Sequence, residues 1–373
     1  MKSLSIKIKR FQPKIETPAA AASAPDGAGI FKTWNKAGKY TLHFSTTIPL
    51  KTPCAGGLEM LRKAFGFAHG LEELVFYDTE TTGLSAGAGS LAFLAGFGRY
   101  EKNSFIIDQY FLSDFPGEPE FLGHIAKRLD KSRLFVSYNG RAFDRHLLAS
   151  RFLMNAMKIE QPGQFDLLFP SRSLWRSVIG SCSLSNVESE VLGVKRTLDI
   201  PGEEIPDVYF RFLRTGGDPR MAAVVEHHRQ DIVSLALLLT RLAEIFSDPH
   251  SASGVDRSRL SRLLKRIDPS RAEEFAAKSF RNGDRGCGVE LGLGYKKSRD
   301  WRKAVAVWET LASSGEDLYA AVELAKYHEH KSKDWKKAME YVEKCLAMPA
   351  AGSPIVQRAL LHRKARLKKK SGA

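Results

Sequence analysis

Leu74-Val75-Phe76-Tyr77-Asp78-Thr79-Glu80-Thr81-Thr82-Gly83 is the stretch from which the fold can be read. Four apolar residues in a row, short and rich in aromatic and β-branched side chains, describe a buried strand that ends at Asp78. Side chains alternate along a strand, so Asp78 and Glu80 project from one face, about 7 Å apart. Two carboxylates at the end of a buried strand are costly unless something positive neutralises them. A hard divalent cation does so, because Mg²⁺ and Mn²⁺ prefer oxygen ligands. By itself D-x-E recurs by chance, and a surface strand end reads the same way.

Downstream the pattern becomes α/β. Two strands are expected at 91–99 and 104–112, a helix near 118–130, a strand at Leu134–Tyr138 and a helix from Ala142 to Met154. A short strand at 165–169 and a long amphipathic helix over 219–246, opened by Pro219, complete the unit. Three early strands on short turns followed by alternating helices and strands predict a mixed sheet flanked by helices.

Two further elements carry acids. Tyr138-Asn139-Gly140-Arg141-Ala142-Phe143-Asp144 lies at a strand-to-helix junction, where an acid in the first turn suits the helix dipole and also serves as a cap. Glu226-His227-His228-Arg229-Gln230-Asp231 lies in the last helix, and His227 and Asp231, four apart, share a face. An imidazole beside a ligating carboxylate is a general base next to a bound water, since its free pKa of about 6.5 suits proton transfer near neutrality. An exposed polar face with no catalytic role gives the same spacing. Trp175 with Arg172 and Arg176 offers a base-stacking and phosphate contact, although core packing of Trp175 accounts for it equally. Gly83 to Gly89 has no following Lys-Ser/Thr and opens no helix, so a tight turn between strands is expected rather than a phosphate loop.

The order of these elements is more specific than any one of them. D-x-E on the first strand, N-x-x-x-F-D opening a helix and H-x-x-x-D in the last helix resemble the DEDD exonuclease superfamily of the ribonuclease-H-like fold. Within it the chain looks most like the bacterial YprB-like ribonuclease-H-like domain. The matching segments are Asp78 to Leu84 with the Gly-Ala-Gly that follows, Tyr138 to Asp144, Leu174-Trp175-Arg176, Ile200 to Pro206, Tyr209 with Phe212 to Gly216, and His227 to Leu235. The resemblance implies a 3′→5′ exonuclease of DNA or RNA. Asp78, Glu80, Asp144 and Asp231 would hold two Mg²⁺ or Mn²⁺ ions about 3.5–4 Å apart. His227 would take the water's proton, and Thr81, Thr82, Gly83, Asn139 and Phe143 would contact the substrate. In well-studied branches a Tyr stands four before the last Asp, or a His five before it. Here His227 holds the tyrosine-like place and Glu226 the other. His228 is the alternative base, about 100° away around the helix.

The chain divides into a basic leader at 1–30, an extension at 31–70 in which Trp34 to Phe44 reads as a short hairpin and Leu58 to Phe67 as a helix, the ribonuclease-H-like unit at 71–246, a linker at 247–256 and an all-α region at 257–373 with a closing helix at 354–367 and a basic tail at 363–370. In the last, Arg299-Asp300-Trp301-Arg302-Lys303-Ala304 recurs as Lys333-Asp334-Trp335-Lys336-Lys337-Ala338, and Val289-Glu290-Leu291 as Val322-Glu323-Leu324. A period near 34 is the tetratricopeptide signature, and trailing helical repeats also occur in the family the chain resembles. Net charge is +15. Residues 251–373 carry 27 Lys and Arg against 15 Asp and Glu, whereas residues 31–250 carry 25 of each. A basic surface attracts polyanions, so nucleic acid is the expected partner, held in part by the helical region. The other reading is a scaffold whose repeats bind a protein and whose α/β unit is silent. Cys54, Cys182, Cys287 and Cys345 are scattered, which suggests neither a zinc site nor a disulfide framework. With no signal-like or membrane-length apolar run, a cytoplasmic location is expected.

Overall fold

The computed structural model describes residues 29–83, 89–102, 104–129, 133–196 and 200–371. Most of the leader and the centre of the Gly83–Gly89 stretch therefore lie outside the described residues. The chain forms two compact units, divided between Val255 and Asp256.

The first unit is built on a seven-stranded sheet of β1 (Asn35–Lys36), β2 (Thr41–Pro49), β3 (Leu74–Thr81), β4 (Ala92–Glu101), β5 (Ser104–Leu112), β6 (Leu134–Ser137) and β7 (Gly163–Asp166), in the order β1-β2-β5-β4-β3-β6-β7. From β1 to β3 each pairing is antiparallel, and β3–β6 and β6–β7 are parallel. The mixed sheet expected from the sequence is present. The hairpin expected at 34–44 is β1–β2, whose second strand runs on to Pro49 and supplies the antiparallel edge, so β5 is an interior strand that pairs over its full length with β2.

The helices of this unit are α1 (Ala55–Phe65), α2 (Glu118–Ala126), α3 (Asp144–Met154), α4 (Leu168–Ile179), α5 (Leu184–Val187), α6 (Ile205–Thr215) and α7 (Met221–Ser247). One sheet face buries Val75, Tyr77, Phe97 and Phe135 with Phe121 and Leu147. On the other face Phe76 meets Phe105 and Tyr100 edge-on. Here α7 crosses the sheet, and β4 admits it by having no side chains at two positions. A Cβ on Gly96 would lie 2.3 Å from Ile232 and 2.5 Å from His228, and one on Gly98 2.7 Å from Ile232. Because Gly96 is the register partner of Asp78, this close approach brings α7 over the strand that carries the acids.

The second unit is all helical: α8 (Arg257–Leu264), α9 (Pro269–Arg281), α10 (Arg285–Lys297), α11 (Trp301–Ala312), α12 (Leu318–Tyr327), α13 (Trp335–Ala347) and α14 (Pro354–Ser371). Six of the seven open on an aspartate whose side chain accepts from the first turn: Asp256, Asp268, Asp284, Asp300, Asp317 and Asp334. Satisfying otherwise orphaned N–H groups is the physical content of the recurring Asp-Trp pair, since Asp300 and Asp334 start α11 and α13 in the same way. Among the described residues no helix is long and apolar enough to cross a membrane.

Candidate active site

Three elements bring the acids together. Asp78 and Glu80 lie on β3, Asp144 is the first residue of α3, and Asp231 lies on α7 one turn after His227. Oxygen or nitrogen atoms of Glu80, His227 and Asp231 all lie within 4.8 Å of one another, close enough to share one cation. Asp78 and Asp144 stand outside that trio, yet the Asp144 charge acts on Glu80 and the two acids of the trio act on Asp78. Burial, then Asp231, Asp144 and Glu80 in that order, push the Asp78 carboxyl well above the usual carboxylate range. Burial, then Asp231 and Asp144, do the same to Glu80. Burial raises Asp144 to about 6 against the hydrogen bond from the Thr79 hydroxyl. Asp231 is also raised, chiefly by burial. Carboxyls raised by burial and by neighbouring acids in this way mark a place where a positive charge would be stabilised.

Arg196 is the cation there, and no motif in the sequence singles it out. Its Nη2 donates to Asp231 Oδ1, and its Nη1 donates to His227 Nδ1 at 2.9 Å. The same guanidinium is clamped by Glu188, with Nε to Oε2 at 2.7 Å and Nη2 to Oε1 at 2.9 Å. Glu188 is buried and opens a π-helical turn, Glu188–Leu192, a geometry that often marks functional sites. His227 Nε2 lies 3.7 Å from Asp231 Oδ2.

His228 plays a different part. It is fully buried, its Nδ1 accepts from Gln109 Nε2 at 2.9 Å, and its Nε2–H therefore donates to the Asp78 carbonyl at 3.0 Å. Burial lowers its pKa to about 4. Neutral and bonded at both nitrogens, His228 ties α7 to β3 and is not free to move a proton. Asp166, on β7, holds the turn that presents Asp144: it accepts from the backbone of Asn139 (2.8 Å), Arg141 (3.2 Å) and Leu168 (3.0 Å). Asn139 is left-handed at φ 63°.

The residues expected to touch substrate flank this cluster. Thr81 donates its hydroxyl to the Gly83 carbonyl at 2.7 Å, and the Thr82 hydroxyl accepts from Leu91 N at 3.0 Å. Phe143 immediately precedes α3. Trp175 is buried in the core, whereas Arg172 and Arg176 are exposed and line a cavity of about 370 Å³ with Tyr138 and Asn139.

Residues 75–243 match the RNase H superfamily domain. Over 310 residues the chain is 34% identical to YprB of Bacillus subtilis (strain 168), which covers 80% of this chain and 75% of that relative. The chain belongs to the YprB family. Two structures of exonuclease I, one of them product-bound, share 13% identity with this YprB-family chain over 79% of its length and 90% of theirs. Their TM-scores of 0.29 and 0.30 are too low to argue from.

The acid cluster of this YprB-family protein suits a divalent metal. It offers hard oxygen donors and one imidazole, it is partly buried, and although the Arg196 charge acts on Asp78, Glu80 and Asp231, all three carboxyls stay raised, so a further cation would be stabilised there.

Proposed function

We propose that this protein is a metal-dependent nuclease of the DEDD type, hydrolysing phosphodiester bonds of DNA or RNA from a single-stranded 3′ end. The observation that carries the reading is the convergence of Asp78, Glu80, Asp144 and Asp231 from three elements into one desolvated cluster, in which burial raises all four carboxyls and the charges of Asp231 and Asp144 raise Asp78 and Glu80 further. Structural acids are arranged the other way, against cations that lower them, as Asp108 is by Arg128 and Arg99 here.

Asp78, Glu80, Asp144 and Asp231 would hold two Mg²⁺ or Mn²⁺ ions, which when bound make water a nucleophile near neutral pH and offset charge on the leaving oxygen. His227 would accept the water's proton; Arg196 donates to its Nδ1 at 2.9 Å, so action through that nitrogen would require Arg196 to withdraw. Glu188 holds the guanidinium through two bonds of its own and gives it a place to stay when it leaves Asp231. Thr81, Thr82, Gly83, Asn139 and Phe143 would position the terminal nucleotide, and Arg172 and Arg176 the next phosphate.

The test uses purified protein with Mg²⁺ or Mn²⁺ and 5′-labelled single-stranded DNA, single-stranded RNA and duplexes. The expected result is a ladder shortening from the 3′ end, lost with chelator and in Asp78→Ala and Asp231→Ala. Binding without cleavage under either metal would replace the nuclease by a scaffold with a vestigial site.

A further inference from the structure

The helical unit contains an aromatic, cationic cleft that the chemistry of the α/β unit does not use. Its volume is about 220 Å³, and Trp301, Tyr327, Lys296, Lys326, Lys331 and Arg363 are among its lining residues. The Trp301 and Tyr327 rings lie 6.0 Å apart, tilted by 36°, and the Lys331 ammonium stands 4.9 Å over the Trp301 ring. Both tryptophan and tyrosine are only partly buried. A second π-helical turn, His328–Ser332, carries Lys331 to the rim.

The charges around the cleft do not cancel. Glu323 is shared by Lys296 (2.5 Å) and Lys326 (2.7 Å). Buried Glu329 is shared by Arg363, Arg366 (2.6 Å) and Lys370 (2.9 Å). With Lys331, six cations face two acids, so the rim keeps a surplus of positive charge.

We propose that this cleft binds one nucleotide of a single-stranded nucleic acid, its base on the Trp301 and Tyr327 rings and its phosphate on Lys331 and the neighbouring cations. An acidic peptide would satisfy the cations but leave the ring faces without a partner. A duplex keeps its base faces stacked inside itself, so only a single strand can use both features. The inference rests on the nuclease reading in that the nuclease makes nucleic acid the polyanion at hand.

The test measures binding of a labelled oligothymidylate by the full chain in chelator, so no cleavage is required. Trp301→Ala should weaken binding by a factor on the order of ten, the size of one lost stacking contact. Trp301→Phe should bind nearly as the wild type, and Lys331→Ala should reduce the salt slope by about 0.7. An abasic strand should lose the same factor and be indifferent to Trp301→Ala. If Trp301→Ala melts early, Trp301→Phe, Lys331→Ala and the abasic strand decide alone. The proposal is overturned if these changes leave binding as it was, or if poly-glutamate competes as well as the oligonucleotide and the abasic strand binds fully. Binding as described in a protein that cuts nothing would refute the nuclease and leave the cleft standing. Cleavage with binding insensitive to Trp301 would do the reverse.

Discussion

Arg196 donates to Asp231, so the last acid of the proposed metal-binding set already has a cationic partner in the same protein. The guanidinium is nearly buried and bridges Asp231, His227 and Glu188 at once. A divalent ion that uses Asp231 must compete with it. Arg196→Lys retains the charge but cannot form that planar bridge. The variant is expected to melt lower than wild type without metal and to gain more from Mn²⁺, because ligand stabilisation grows with affinity. Melting curves with and without Mn²⁺ measure both effects. A smaller Mn²⁺ gain than wild type would mean that Arg196 orients Asp231 for the metal rather than competing with it.

The raised acids give stability a definite pH dependence. A carboxyl whose folded pKa exceeds its unfolded one costs nothing at low pH, where both states are protonated, and destabilises the fold as pH rises through the folded value. For Asp144 the window runs from the ordinary value of about 4 to about 6, and the loss is on the order of 2–3 kcal/mol. Asp144→Asn should therefore stabilise the metal-free protein at pH 7 relative to wild type and make little difference at pH 4. Saturating Mn²⁺ should reverse the order at pH 7, since metal binding draws on the ionised form. Denaturant titrations at the two pH values test this, and equal effects at both would refute the account.

What the sequence disclosed depended on whether a signal was local. β3, β4 and β5 could be read because each carries apolar runs between turns; strand and helix periods put Asp78 with Glu80, and His227 with Asp231, on shared faces, and the resemblance alone joined them with Asp144 into one set. The structure adds what no period encodes. Arg196 and Glu188 come from a segment without regular repeat and reach Asp231 across 35 and 43 positions of sequence. The hairpin at 34–44 showed only the start of β2, and its run to Pro49 was hidden because its residues alternate weakly, as befits a strand near the sheet edge. His228, adjacent to His227, looked like a second base, and only its bonds to Gln109 and Asp78 reveal a structural role. The closing helix expected at 354–367 is α14, which runs on through the basic stretch at 363–370 to Ser371, and the binding of Arg363, Arg366 and Lys370 to Glu329 is encoded in no period.

Gly96 sets how near α7 comes to β3. A methyl group there meets Ile232 and His228, and overpacking of this kind costs about 1–3 kcal/mol. Gly96→Ala should lower stability by that amount, yet reduce nuclease activity far more, because the displaced helix carries both His227 and Asp231. Assaying activity well below the variant's melting temperature separates the two effects. Activity falling only in proportion to the unfolded fraction would show that the α7 spacing is not critical.

Glu329 is the anchor of the last helix. It is 2% exposed, and its carboxyl is pulled down to about 2 despite burial by bonds from Arg366 and Lys370 and by the charge of Arg363. A depressed acid stabilises the fold above its ordinary pKa and loses that contribution as pH falls toward the folded value. Glu329→Gln removes the charge that three α14 cations share and leaves them repelling one another. The loss at pH 7 should be about 3 kcal/mol, the lower end of the cost of breaking a buried ion pair. It should be localised, so hydrogen exchange over Pro354–Ser371 should accelerate while α7 stays protected. Wild type should show the same fast exchange as pH is lowered toward 2, with the variant insensitive to that change after correction for intrinsic rates. Unchanged protection of α14 in Glu329→Gln would place its anchorage in the apolar contacts of Leu360 and Leu367 instead.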